Sequence, residues 1–320
     1  MKFIGRTISN DKYRTLAKIL MSDLEATSIQ ELSDIVSDES ASAEDRRKAA
    51  KALGCIGDES SLLVLRPHQD DKQLGITASW ARKRIMRRAM QDARRQLRDL
   101  GLQLATELSV ERHDDLVAIL TDTRQSLERR RKACAALGYL EVRSAVSILV
   151  DVVQANDAEL PWIAANALAS IKSRRATRPL MKIVRTAPNE RSQQAAIYAL
   201  WLLGDTRARS VVRWVLSGLA TAGSHTRSLA LEALGAYGPT KRDLDIIIRQ
   251  STNPAPEIRY TAVLILKRFA RDERVRGALE ARLSDDESWR DKGPISELAR
   301  DALSVLGGGK RSTGDESVLK

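Results

Sequence analysis

Eight times along the chain an alanine stands four residues before a large aliphatic residue, at a spacing that hardly changes. The aliphatic anchors are Leu53, Ile85, Leu137, Leu168, Leu200, Leu234, Leu266 and Leu303, and the steps between them are 32, 52, 31, 32, 34, 32 and 37 residues. The alanines are Ala49, Ala81, Ala133, Ala164, Ala196, Ala230, Ala262 and Ala299, and alanine also directly precedes six of the eight anchors. A weaker ninth copy sits at Met21, with Ala17 and Arg14 in register. A fixed period of this length is the mark of a repeat architecture, in which each unit buries its apolar face only against its neighbours.

The pattern inside each unit is helical. Positions −4, 0 and +3 relative to the anchor share one face of a 3.6-residue helix. Alanine at −4 and −1 lets a second helix approach closely, and the anchor fills the gap beside it. Glycines at Gly57, Gly204, Gly238 and Gly307 stand where such helices end, at positions suited to a left-handed C′ residue. Between anchored helices runs a second apolar-periodic segment, as over 142–153, 176–184, 208–219 and 244–248. Each unit therefore reads as an anchored helix followed by a second helix. Aromatics at 4% argue against a large β-sandwich or barrel, while 43% apolar residues suffice for a continuous core.

The segments RRKAAKALGCIGD (Arg46 to Asp58), RRKACAALGYL (Arg130 to Leu140) and RSLALEALGAYG (Arg227 to Gly238) resemble HEAT-like repeats, in particular the type first named from phycobilisome lyases. The resemblance covers residues 10–306 and implies an all-α fold, an α-solenoid of about eight to nine HEAT-like helical hairpins. The expected organisation is a solenoid over 1–306, with a long basic helix inserted near 73–108, and a flexible C-terminal tail over 307–320. The resemblance also implies that Arg46, Arg130, Arg227 and Arg259, each seven residues before its anchor, pair with carboxylates or carbonyls of the adjacent repeat. Ala78, Pro161, Gln193 and Ser296 would break that ladder.

Charge is segregated. The formal net charge is +11, yet residues 73–98 alone carry +7 and residues 172–213 carry +8, which leaves −4 for the rest. The first stretch belongs to the long step from Ile85 to Leu137, where Ile85, Ala89, Ala93, Leu97, Leu100, Leu104 and Leu108 continue a stripe along one helix, with Gly101 as a point of bending. Arg84, Arg87, Arg88, Arg94 and Arg95 are its candidate partner-binding residues. In the second stretch Arg178, Lys182 and Arg185 are spaced i, i+4, i+7, and Arg209 and Arg213 are spaced i, i+4 in the next unit. In a HEAT-type stack the resemblance implies that second helices line the concave side, so these five side chains are expected on one inner basic surface. Guanidinium forks there suit phosphate or carboxylate groups, and Trp214 offers a neighbouring ring, though as a single tryptophan it reads first as a core filler.

Catalytic signatures are missing from the sequence. It has no Gly-rich phosphate loop, no GxSxG elbow and no HExxH helix. His68, His113 and His225 fall in unrelated registers, and the His-Glu pairs of HEAT-like metal hydroxylases do not occur. Cys55 and Cys134 read as small core fillers, so neither metal nor cofactor is expected. HEAT-like DNA glycosylases use an aspartate near aromatics, and Asp151 and Asp205 are the only acids near the expected basic surface. The expectation is a non-catalytic scaffold, cytoplasmic and without a membrane span or secretory signal, that grips an acidic protein or a nucleic acid. A phycobilin lyase-like subunit and a HEAT-like DNA glycosylase are the alternatives.

Overall fold

The computed structural model describes residues 10–155, 157–218, 222–290 and 292–304. The expected tail over 307–320, and the C′ role of Gly307, lie outside the described residues. In chain order the α-helices are α1 (Asn10–Asp23), α2 (Ile29–Ser37), α3 (Ala43–Ile56), α4 (Glu59–Leu65), α5 (Gly75–Glu107), α6 (His113–Thr121), α7 (Leu127–Tyr139), α8 (Val146–Val153), α9 (Leu160–Ile171), α10 (Thr177–Thr186), α11 (Glu190–Leu203), α12 (Arg209–Leu216), α13 (Ser224–Ala236), α14 (Lys241–Gln250), α15 (Pro256–Leu266), α16 (Glu273–Glu280) and α17 (Ile295–Ser304). Among the described residues the β content is a single bridge between Ser288 and Pro294. The fold is all-α and solenoid-like.

Every anchor belongs to an odd-numbered helix from α3 to α17, and all eight alanines at −4 are fully buried. The faint ninth copy is α1, whose Ala17 is also buried. The small residues do what their size predicts. A Cβ on Gly138, directly after its anchor, would lie 2.5 Å from the Ala167 Cα of α9. The same position is Gly54 against Ala81 and Gly235 against Ile265. These glycines therefore serve close helix approach, a use distinct from the C′ glycines four residues after the anchor. At that later position Gly204 and Gly238 have positive φ, as do Glu141 and Lys172, whereas Gly57 has φ −59° and is not left-handed.

The helices pair in a phase that differs from the one the repeat suggested. Second helices pack along the anchored helix that follows them, in α2 with α3 and then in α6 with α7, α8 with α9, α10 with α11, and onward to α16 with α17. The reason is visible at the start of the anchored helices. Arg46 Nε donates to the Val36 carbonyl at 3.1 Å, Arg130 Nε donates to the Leu120 carbonyl at 3.1 Å, and both carbonyls lie in the last turn of the preceding second helix. The last four carbonyls of a helix lack intrahelical donors and carry the negative end of its dipole, so a cation there joins the two helices. Gln193 keeps the rung rather than breaking it, because its amide Nε2 donates to the Val184 carbonyl at 2.8 Å. Arg259 reaches Asn253 and Pro254 carbonyls, and Asp285 and Glu287. Arg227 departs from the ladder, since its Nε is buried without a hydrogen-bond partner.

The described residues fall into two compact units, one ending at Asp99 and one beginning at Leu100. The first has a core built from Leu20, Leu32, Val36, Leu53, Leu65, Ala81 and Ile85 among others. The second unit stacks α6 to α17 on a larger core that runs from Leu108 to Ala302. The helix expected near 73–108 spans Gly75–Glu107, and it runs through Gly101 without interruption. Gly101 is there for packing: a Cβ would lie 3.0 Å from side-chain atoms of Tyr139 and Leu140.

Candidate interaction surface

The second helices α8, α10 and α12 share one register, fixed by the fully buried Ala145, Ala176 and Ala208 that precede them. Counting from those alanines, Arg178 corresponds to Ser147 and Ser210, Lys182 to Asp151 and Trp214, and Arg185 to Gln154 and Ser217. Arg178, Lys182 and Arg185 are all exposed, and among the described residues Arg178 and Lys182 have no ion-pair partner. The Arg185 guanidinium lies 5.9 Å from the Trp214 ring centroid, at the outer limit of a cation–π contact. Arg174 and Arg175, exposed in the 3-10 turn before α10, extend the same cationic surface.

Arg209 and Arg213 are elsewhere. Their register equivalents in α10 are the buried Thr177 and the half-buried Met181, one residue out of step with the exposed set. One residue rotates a side chain by about 100° around a helix. The two arginines accordingly turn toward α14 and close on Asp243, which is fully buried. Arg213 Nε donates to Asp243 Oδ1 at 2.6 Å, and its terminal nitrogen to Thr240 Oγ1 at 3.1 Å. Arg209 bonds the other Asp243 oxygen and donates to the Tyr237 and Gly238 carbonyls at 3.0 and 3.1 Å. Thr240 and Asp243 also form a capping box at the start of α14. Burial pushes the Asp243 carboxyl up, but the hydrogen bonds from Arg213, Thr240 and Arg209 outweigh it and hold the group at about 2. The five cations expected on one surface thus divide into three that face outward and two that join neighbouring repeats.

Asp205 belongs to a similar internal contact. Arg207 and Thr177 donate to it, the latter at 2.8 Å, and the Arg207 hydrogen bonds hold its carboxyl far below the ordinary range against the opposing effect of burial. It is occupied, and Asp151 remains the exposed acid beside the cationic surface.

On α5 the arginines also separate. Arg84 stacks over the Tyr13 ring at 3.2 Å, and the half-buried Arg88 donates to the Cys55 and Gly57 carbonyls at the end of α3. Both are tied into the first unit. Arg87, Arg94 and Arg95 are exposed, and Arg95 meets Asp92 at 3.9 Å in a pair too solvated to contribute much. Cys55 and Cys134 are buried and free, and burial pushes the Cys134 thiol up to about 12. His225 faces Glu257 at 3.3 Å. Among the described residues no group of three or more His, Cys, Asp or Glu side chains is arranged to hold a metal ion, and no helix is long and apolar enough to cross a membrane.

Residues 114–201, which span α6 to most of α11, match the family described as HEAT repeats. No curated protein matches the chain. Among solved structures, the complex of CpcE and CpcF of phycocyanin lyase from Nostoc sp. PCC7120 is 19% identical, covering 64% of this chain and 87% of that one with a TM-score of 0.34. Human deoxyhypusine hydroxylase in complex with glycerol is 16% identical, covering 87% of this chain and 93% of that one with a TM-score of 0.31. An engineered protein is also 16% identical, covering 87% and 96% with a TM-score of 0.27. Superposition at this level carries no argument about activity.

Proposed function

We propose that this chain, whose residues 114–201 match HEAT repeats, is a non-catalytic scaffold whose α10 surface grips an acidic segment of a partner protein. The reading rests on one observation: Arg178 and Lys182 project from α10 with no ion-pair partner among the described residues and Arg185 meets the Trp214 ring at 5.9 Å, while the neighbouring arginines of α12 are consumed internally. From Arg175 to Arg185 the cationic strip runs about 15 Å at ~1.5 Å per residue. It is one helix wide, with Asp151 at the equivalent place on α8 and neutral Ser210 on α12. That footprint suits a short run of carboxylates. A duplex, with a phosphate about every 1.7 Å of axis, is held through far more cations than this strip offers.

The test is fluorescence anisotropy with a labelled oligoglutamate peptide, alongside single-stranded and duplex oligonucleotides. The triple variant Arg178→Ala, Lys182→Ala, Arg185→Ala should lose tenfold or more affinity for the peptide while keeping its melting temperature, because all three side chains are solvated. Unchanged peptide affinity in the triple variant overturns the proposal. Tighter binding of an oligonucleotide, with a steep salt dependence abolished by the same variant, would assign the surface to nucleic acid instead.

A further inference from the structure

The long helix α5 carries an apolar seam that no part of the described structure covers. Its residues are Met86, Met90, Ala93, Leu97 and Leu100, separated by four, three, four and three positions. Met86 is 48% exposed, Met90 62%, Leu97 41% and Leu100 39%, and Ala93 is exposed as well. Upstream, Ile85 enters the core of the first unit, and downstream Leu104 packs on the core of the second. The seam begins one residue after Ile85, the last side chain that α5 places in the core of the first unit. Residues 91–100 are exposed without exception.

Alternating steps of four and three make a heptad, the 3.5-residue period by which one helix packs its side chains into the holes of another. Over two heptads the seam runs about 21 Å. Arg87 directly follows Met86, at a flanking position whose charge selects the partner in such pairings. Residues 86–100 hold five arginines against Asp92 and Asp99, so two copies of this face would repel one another. The complementary occupant presents apolar residues at the same period between flanking carboxylates. We propose that α5 docks an acidic amphipathic helix of a partner protein along Met86–Leu100. This stands independently of the α10 surface, which uses different residues and no apolar contact.

Two synthetic 21-residue peptides test it, both with leucine at the seam positions, one with glutamate and one with lysine at the flanks. Binding to the full chain is read by fluorescence anisotropy, and helix formation in the peptide by circular dichroism. The glutamate peptide should bind and gain helicity, with at least tenfold preference over the lysine peptide. Met90→Ser with Leu97→Ser should weaken it tenfold or more without lowering the melting temperature, since neither side chain belongs to either core. The α10 triple variant should bind it as the parent chain does. Equal binding of the two peptides, no binding of either, or no effect of the double serine variant overturns the proposal. So does a concentration-dependent dimer in sedimentation that the double variant abolishes, because the occupant is then a second copy.

Discussion

Removing the Asp243 carboxylate would leave two guanidinium groups facing each other across a buried site. Arg209 and Arg213 are themselves mostly covered, at 16% and 23% exposure, so solvent relieves only part of that repulsion. Asp243→Ala should therefore destabilise the protein by about 3 kcal/mol, the lower end of what breaking a buried pair costs. Asp243→Asn should lie between, because it keeps the capping geometry and one acceptor. The pH dependence has a definite sign. A folded-state value of about 2 against an ordinary 3.8 means the carboxylate favours folding fully above about pH 4, and that contribution is lost as the pH falls toward 2. Urea unfolding between pH 5 and pH 2 should show this acid loss in the parent chain and a flatter profile in Asp243→Asn. Matching profiles would mean the clamp contributes nothing.

At the scale of the element, helix identity and spacing were legible in the amino-acid order because each repeat writes its own buried face. Ala133, Leu137 and their equivalents are buried wherever the pattern recurs, save the half-buried last anchor Leu303, and α5 ends within two residues of the expected bounds. Rotation about each helix axis was harder to read. The i, i+4 spacing of Arg209 and Arg213 resembles that of Arg178 and Lys182, and only the alignment of Ala176 with Ala208 exposes the one-residue offset. Their acceptor, Asp243, lies 30 residues beyond Arg213, so nothing local announces it. A ladder of arginines suggests that charge is required, which makes Gln193 look like a break. What the Val184 carbonyl requires is a donor of sufficient reach, which an amide supplies. Gln193→Ala should then destabilise by about 1 kcal/mol, the net value of one such hydrogen bond, and speed amide exchange in the last turn of α10, whereas Gln193→Arg should restore both. Unchanged exchange after Gln193→Ala would show that the rung is not used.

For the whole molecule, the buried apolar residues form two sets that have no member in common, one reaching Ile85 and the other beginning at Leu108. Along α5 between them, residues 86–100 contribute no fully buried side chain to either. Cooperative unfolding requires that losing one set of contacts removes the support of the rest, and repeat proteins pass that support only between neighbours. Each unit has a core of its own through which that support passes. Denaturant unfolding should therefore resolve two transitions, the smaller in amplitude from the first unit. Leu32→Ala, at a fully buried site in α2, should move only that transition, by about 2–5 kcal/mol for a leucine truncation in a packed core. Asp243→Ala should move only the other. If either substitution shifts both midpoints together, the two cores are energetically one, and the exposed stretch of α5 must then be held by contacts that the free chain already makes.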